Sequence, residues 1–161
     1  MLIRCPPQHC PVPAPPTAAQ FVVLDTNVVL DWLLFDHPNG RVLDAALTQG
    51  ELRWIATAPM RDELAHVLAR GVLDHWSPDL RSLWARWDRH CAEVPAPAPV
   101  GPASRFRCTD PDDQKFVDLA VASAALLLSR DRAVLKLARR LREVGVGVMT
   151  PTAWVTARAT G

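Results

Sequence analysis

Five short runs of β-forming residues, each parted from the next by a stretch long enough for a helix, constrain this chain most. The first is Phe21 to Asp25 (FVVLD), apolar at every position but its last, as expected of a strand buried on both faces. Leu52 to Ala56 (LRWIA), residues 92–94, Ala125 to Ser129 and Val146 to Met149 are the others. Between them, Val28 to Phe35, Arg41 to Thr48, Pro59 to Arg70, a segment opened by Ser77-Pro78, Pro111 to Ser123 and Arg132 to Arg142 read as helices. Thr152 to Arg158 reads as a closing turn or two, Pro38-Asn39-Gly40 as a break, and Gly71 as a helix end. Parallel strands need long crossovers, so this alternation predicts an α/β fold: a mostly parallel sheet with helices on both faces.

A length of 161 residues suits one domain, and a hydrophobic fraction of 49% is ample for its core. Residues 1–19 hold Pro6, Pro7, Pro11, Pro13, Pro15 and Pro16 and read as an extended or disordered tail, with a single domain over residues 20–161. Pro95 to Pro102 reads as a surface loop. No apolar run approaches the roughly 20 residues of a membrane helix. Prolines stand where a secretory leader would be apolar, so the cytoplasm is the expected location. A net charge of +1 does not by itself point to nucleic acid. Arg130, Arg132, Lys136, Arg139, Arg140 and Arg142 crowd one segment, which faces either a phosphate backbone or, more plainly, solvent. Cys5, Cys10, Cys91 and Cys108 form no C-x-x-C pair, and Cys5, His9 and Cys10 fit no zinc spacing, so reduced thiols are expected. The apolar surface around Trp76, Trp84 and Trp87 reads as core or as a partner-facing surface, not as a base-stacking platform.

Ligands of such sheets collect beyond the carboxyl ends of the strands. Asp25 closes the first strand and Asp131 lies just past a later one, so both fall on that edge. Asp131 also suits a plain helix N-cap, whereas a charge closing an apolar strand gains little structurally. At 100° per residue, Glu63 flanks the apolar stripe of its helix (Met60, Leu64, Val67, Leu68), while Asp62 points to water. Asp113 projects into the stripe Phe116, Val117, Ala120, Val121 and Ala124; Asp118 falls on the far face, and Asp110, before Pro111, reads as the N-cap. Complementing a helix dipole explains acids at this terminus but not one facing the core. Four bare carboxylates on one edge would repel one another. An all-oxygen set without His or Cys suits Mg²⁺ or Mn²⁺ and disfavours zinc. Phosphodiester hydrolysis is the chemistry best matched to such a set.

These residues resemble a known family. Asp25-Thr26-Asn27 after a buried strand, Arg61-Asp62-Glu63-Leu64 followed by Val67-Leu68, Asp110-Pro111-Asp112-Asp113-Gln114-Lys115-Phe116, and Ser129-Arg130-Asp131 resemble the PIN domain in order and spacing, over about residues 21–155. The variety most resembled is the toxin component of type II toxin–antitoxin pairs (VapC-like). The resemblance implies a three-layer α/β/α sandwich and a Mg²⁺- or Mn²⁺-dependent endoribonuclease acting on RNA. It implies Asp25, Glu63, Asp113 and Asp131 as the catalytic, metal-binding acids. Thr26, Asn27, Ser129 and Asp110 would support them, Asn27 by orienting Asp25. It also implies a homo-oligomer, often a dimer, and a small antitoxin that blocks the site. Three departures stand out: Gln114 for the usual Asn, Ser129 for the usual Thr, and Ala58 where a Ser cap is common. None removes an acid. A competing reading is a catalytically silent PIN-like module that binds RNA or protein; the intact acid set counts against it. A phosphotransfer enzyme of another doubly wound fold would want an acid where Asn27 stands and a suitably placed lysine, and the chain has only Lys115 and Lys136.

Overall fold

The computed structural model describes residues 18–98 and 104–160. In chain order the elements are β1 (Gln20–Leu24), α1 (Thr26–Leu33), α2 (Pro38–Thr48), β2 (Leu52–Ala56), α3 (Ala58–Ala69), α4 (Leu80–His90), β3 (Cys91–Glu93), α5 (Gln114–Ser123), β4 (Leu126–Leu128), α6 (Arg132–Leu135), α7 (Ala138–Arg142), β5 (Val148–Met149) and α8 (Pro151–Ala159). The proline-rich tail, with Cys5, His9 and Cys10, lies outside the described residues apart from its last two positions, as does part of the Pro95 to Pro102 stretch.

Among the described residues the strands form one sheet, ordered β3-β2-β1-β4-β5, with every pair parallel. β1 is central: Val22 registers with Trp54 on one side and Leu126 on the other. Val22, Val23 and Leu24 are buried because helices cover both faces, which explains the unbroken apolar run. The right-handed rule for parallel crossovers sends α1 to α4 to one face and α5 to α7 to the other. The result is a three-layer α/β/α sandwich. The path turns back between β1 and β4, so their carboxyl ends border the crevice where such folds bind ligands.

On the α1–α4 face the core is aromatic. Trp54 packs edge-on against Trp32 at 5.6 Å and Trp87 at 4.5 Å between ring centroids. Trp87 is therefore core, which removes it from any partner surface; Trp84 is half-buried and Trp76 exposed.

Several expected boundaries move. Pro38-Asn39-Gly40 is the first turn of α2 and not a break: Pro38 sits where its missing N–H costs nothing, and His37 caps the turn. Ser77 adopts a left-handed conformation, and α4 starts only after Pro78, at an Asp79 cap. Residues 111–113 wind as a tighter turn before α5, with the Gln114 N–H on the Pro111 carbonyl. The expected helix Arg132 to Arg142 is split, because Leu137 closes a tight bond to the Val134 carbonyl. No helix among the described residues is long and apolar enough to cross a membrane.

Candidate metal centre

Asp25 follows β1 directly and serves as the N-cap of α1, so the acid that closes the apolar strand does have a structural role, contrary to expectation. Its Oδ1 accepts the Val28 N–H at 2.8 Å. Its Oδ2 accepts the Ser129 hydroxyl and the Arg130 N–H, the latter at 3.0 Å. Burial raises the Asp25 pKa, and these bonds only partly offset it. Ser129, fully buried at the end of β4, also accepts the Asp131 N–H at 3.0 Å. One hydroxyl thus ties the acids after β1 and β4 together. Asp131 is the N-cap of α6, its Oδ1 accepting the Ala133 N–H at 2.6 Å.

Glu63 faces this edge from the first half of α3. Its Oε1 accepts the Thr26 hydroxyl at 2.5 Å, and its Oε2 pairs with the Lys115 ammonium on α5. The lysine is a member of the site that sequence reasoning passed over. Its one sequence signal was a position two residues after Asp113. Asp110 closes a turn by accepting the Asp112 N–H at 2.9 Å. Asn27 is exposed, and among the described residues no hydrogen bond joins it to Asp25; backbone N–H groups and Ser129 orient that carboxylate instead. Thr57, not Ala58, holds the N-cap position of α3.

Two further expectations are corrected around α5. Asp118 is buried, because the segment Ser104 to Cys108 covers the face expected to meet solvent. Gln114 secures that segment: it accepts the Cys108 N–H at 2.6 Å and donates to the Phe106 carbonyl at 3.3 Å and to Asp118 at 2.8 Å. Asn is one methylene shorter, so the Gln departure has a local purpose here. Burial raises the thiols of Cys108 and of Cys91, the latter to about 12, so neither is a ready thiolate ligand at neutral pH.

Asp113 is the electrostatic focus. Its Oδ2 is buried without a hydrogen-bond partner, one of two such side-chain atoms among the described residues, with Trp54 Nε1. Burial, then the charges of Asp131, Asp110, Asp25 and Glu63, push its carboxyl up to about 7. Among the described residues no three Asp, Glu, His or Cys side chains already stand together as a ligand cage. The acids share one field without a preformed coordination sphere. An orphaned carboxylate oxygen amid the charges of four other carboxylates fits a hard divalent cation.

The profile of the PIN domain family matches residues 21–133. No curated protein matches the chain in sequence. Among solved structures it is similar to a PilT N-terminus domain protein from the hyperthermophilic archaeon Sulfolobus solfataricus P2, at 15% identity and a TM-score of 0.41, over 85% of this chain and 92% of that one. The profile covers Asp25, Glu63, Asp113 and Asp131 and more than half of the sequence. The chain belongs to the PIN domain family, generally a nuclease fold.

Proposed function

We propose that this protein is a Mg²⁺- or Mn²⁺-dependent endoribonuclease, and specifically the toxin of a type II toxin–antitoxin pair. The observation that carries the reading is the unpartnered, buried Oδ2 of Asp113 in the field of Asp25, Glu63, Asp110 and Asp131. Asp25, Glu63, Asp113 and Asp131 would hold the ion. When bound, such an ion supplies Lewis acidity toward a phosphoryl oxygen and promotes attack by water. The chain's own groups prepare the place. Val28 N–H, Arg130 N–H and the Ser129 hydroxyl fix the Asp25 carboxylate, and Ser129 sets the start of α6 that carries Asp131. Thr26 and Lys115 hold Glu63 from two sides.

Cleavage of a structured RNA in Mn²⁺ tests this. Asp25→Asn and Asp113→Asn are each expected to lower kcat by about a hundred-fold or more, with unchanged circular dichroism. Undiminished cleavage by both variants defeats the assignment. For the toxin role, expression of the wild type in a bacterial host is expected to arrest growth, relieved by Asp113→Asn or by a cognate antitoxin. Normal growth despite cleavage in vitro points to RNA processing instead. The reading also includes a cytoplasmic homodimer, for which light scattering is expected to give twice the 17.7 kDa chain mass; a monomer overturns that part.

A catalytically silent PIN-like module is the second reading, favoured by the engagement of Glu63 with Lys115. Calorimetry separates the two, since the silent module is expected to bind no Mn²⁺.

A further inference from the structure

Two open clefts, one lined by Glu63 and the other by Arg130, differ in the charge of their linings. One, of about 500 Å³, runs along α3, and its charged lining is Asp62, Glu63, Asp112 and Arg70, with His66. With Glu63 paired to Lys115, Asp62 and Asp112 still outnumber Arg70, and the excess carboxylate disfavours a phosphodiester. The other, of about 560 Å³, lies between the starts of α2 and α8 and is lined by His37, Asn39, Arg130, Thr150, Pro151 and Thr152. Among the described residues no carboxylate lines it, and the carboxylate nearest its Arg130 is the paired Asp31. Its volume falls within the roughly 300–1,000 Å³ of small-ligand sites, enough for a nucleotide-sized group.

The second cleft is linked to the acids through Arg130, which lines it and whose backbone N–H donates to Asp25 Oδ2 at 3.0 Å. The Arg130 guanidinium is steadied by Asp31 through one nitrogen, which leaves further N–H donors. His37 Nδ1 accepts the Asn39 N–H at 3.2 Å, so the ring proton belongs on Nε2, as a donor. Thr152 Oγ1 accepts from Asn39 Nδ2 at 2.9 Å, and Thr150 Oγ1 from the Ala153 N–H at 3.1 Å. Both hydroxyl hydrogens are left to donate. Donors from four residues, Arg130, His37, Thr150 and Thr152, thus line this cleft.

We propose that the cleft of His37, Asn39, Arg130, Thr150 and Thr152 binds the RNA phosphodiester adjacent to the one cut, so that these are positioning residues for the strand. This deepens the ribonuclease reading and rests on it. It assigns the strand a direction of exit, over the α2 and α8 side and away from the acidic α3 cleft.

The test separates binding from cleavage. Anisotropy of a short dye-labelled single-stranded RNA, in EDTA, is measured for the wild type, Arg130→Met, Thr152→Val and a control, Arg81→Gln, exposed on α4 outside both clefts. Arg130→Met is expected to weaken binding about ten-fold or more, as for loss of a charged hydrogen-bond donor, and Thr152→Val about three-fold, as for an exposed hydroxyl donor at the low end of ordinary hydrogen bonds. Arg130→Met is also expected to flatten the slope of log affinity against log salt by about 0.7, the loss of one phosphate contact. Arg81→Gln is expected to match the wild type. If Arg130→Met and Thr152→Val match it too, in affinity and slope, the proposal is overturned whether or not the protein cuts RNA. It is equally overturned if the wild type binds no RNA. Binding that behaves as expected without cleavage in Mn²⁺ leaves the cleft an RNA site and defeats the nuclease reading alone. Because Thr152→Val is isosteric, it keeps the test decisive should Arg130→Met disturb the fold.

Discussion

At Asp113, burial and four like charges all act against ionisation, and this one side chain ties pH, metal and stability together. Its carboxyl titrates at about 7 in the folded chain, against 3.8 for the ordinary value. Below the lower value both folded and unfolded chains hold the proton, and nothing is lost. Between the two values the unfolded chain ionises more readily, so stability falls as pH rises and the loss is complete above the folded value. Asp113→Asn removes this cost. Without metal at pH 8 it is expected to raise stability by roughly 1–2 kcal/mol, after allowing for screening at a partly exposed site. Thermal melts are expected to show a gain of a few degrees that disappears near pH 4. Ser129→Ala acts in the opposite sense. It strips a buried carboxylate of its hydroxyl donor and the Asp131 N–H of its acceptor, so urea unfolding is expected to show a loss of about 1–3 kcal/mol.

Between elements, two contacts matter most for the site. α1 and α2 approach so closely at Gly40 that a Cβ there would lie 2.8 Å from the Trp32 Cα. Backbone cannot yield as a side chain tip can, so Gly40→Ala is expected to destabilise by about 1–3 kcal/mol, read from the denaturation midpoint. α3 and α5 are joined by Glu63 and Lys115, which links two of the acid-bearing elements. Lys115 is a built-in counter-ion that competes with a divalent ion for Glu63. Lys115→Met is expected to tighten Mn²⁺ binding about two- to ten-fold by calorimetry. Weaker binding would instead make the lysine part of the site's support.

Across the whole molecule, the sheet order β3-β2-β1-β4-β5 places Asp25 and Asp131 on the same crevice although 106 positions separate them in sequence. A ligand that binds only where this topology has assembled stabilises the entire fold. Mn²⁺ at about a hundred times its Kd is expected to add about 2.7 kcal/mol, or roughly 5–10 °C in Tm. Asp113→Asn is expected to abolish most of that rise, and an equal rise in both proteins would remove Asp113 from the ion's ligands.

By itself the sequence determined the periodicities. Leu52 to Ala56 reads as a strand and forms one, and the stripe Met60, Leu64 and Leu68 reads as the buried side of a helix and is buried. Such signals survive because backbone propensity and the helical repeat depend on near neighbours in the chain. Pro38 shows the limit even there, since one residue both starts helices and breaks them, and only the His37 cap decides between the two. Tertiary structure decided what covers each face and which groups meet. Asp118 is buried by a segment about ten residues upstream that Gln114 pins down. Glu63 meets a lysine 52 positions away, and Asp25 takes two of its three donors from Ser129 and Arg130, just past the neighbouring strand β4. These contacts arise from how crossovers pack helices on a sheet, and no local pattern encodes that placement.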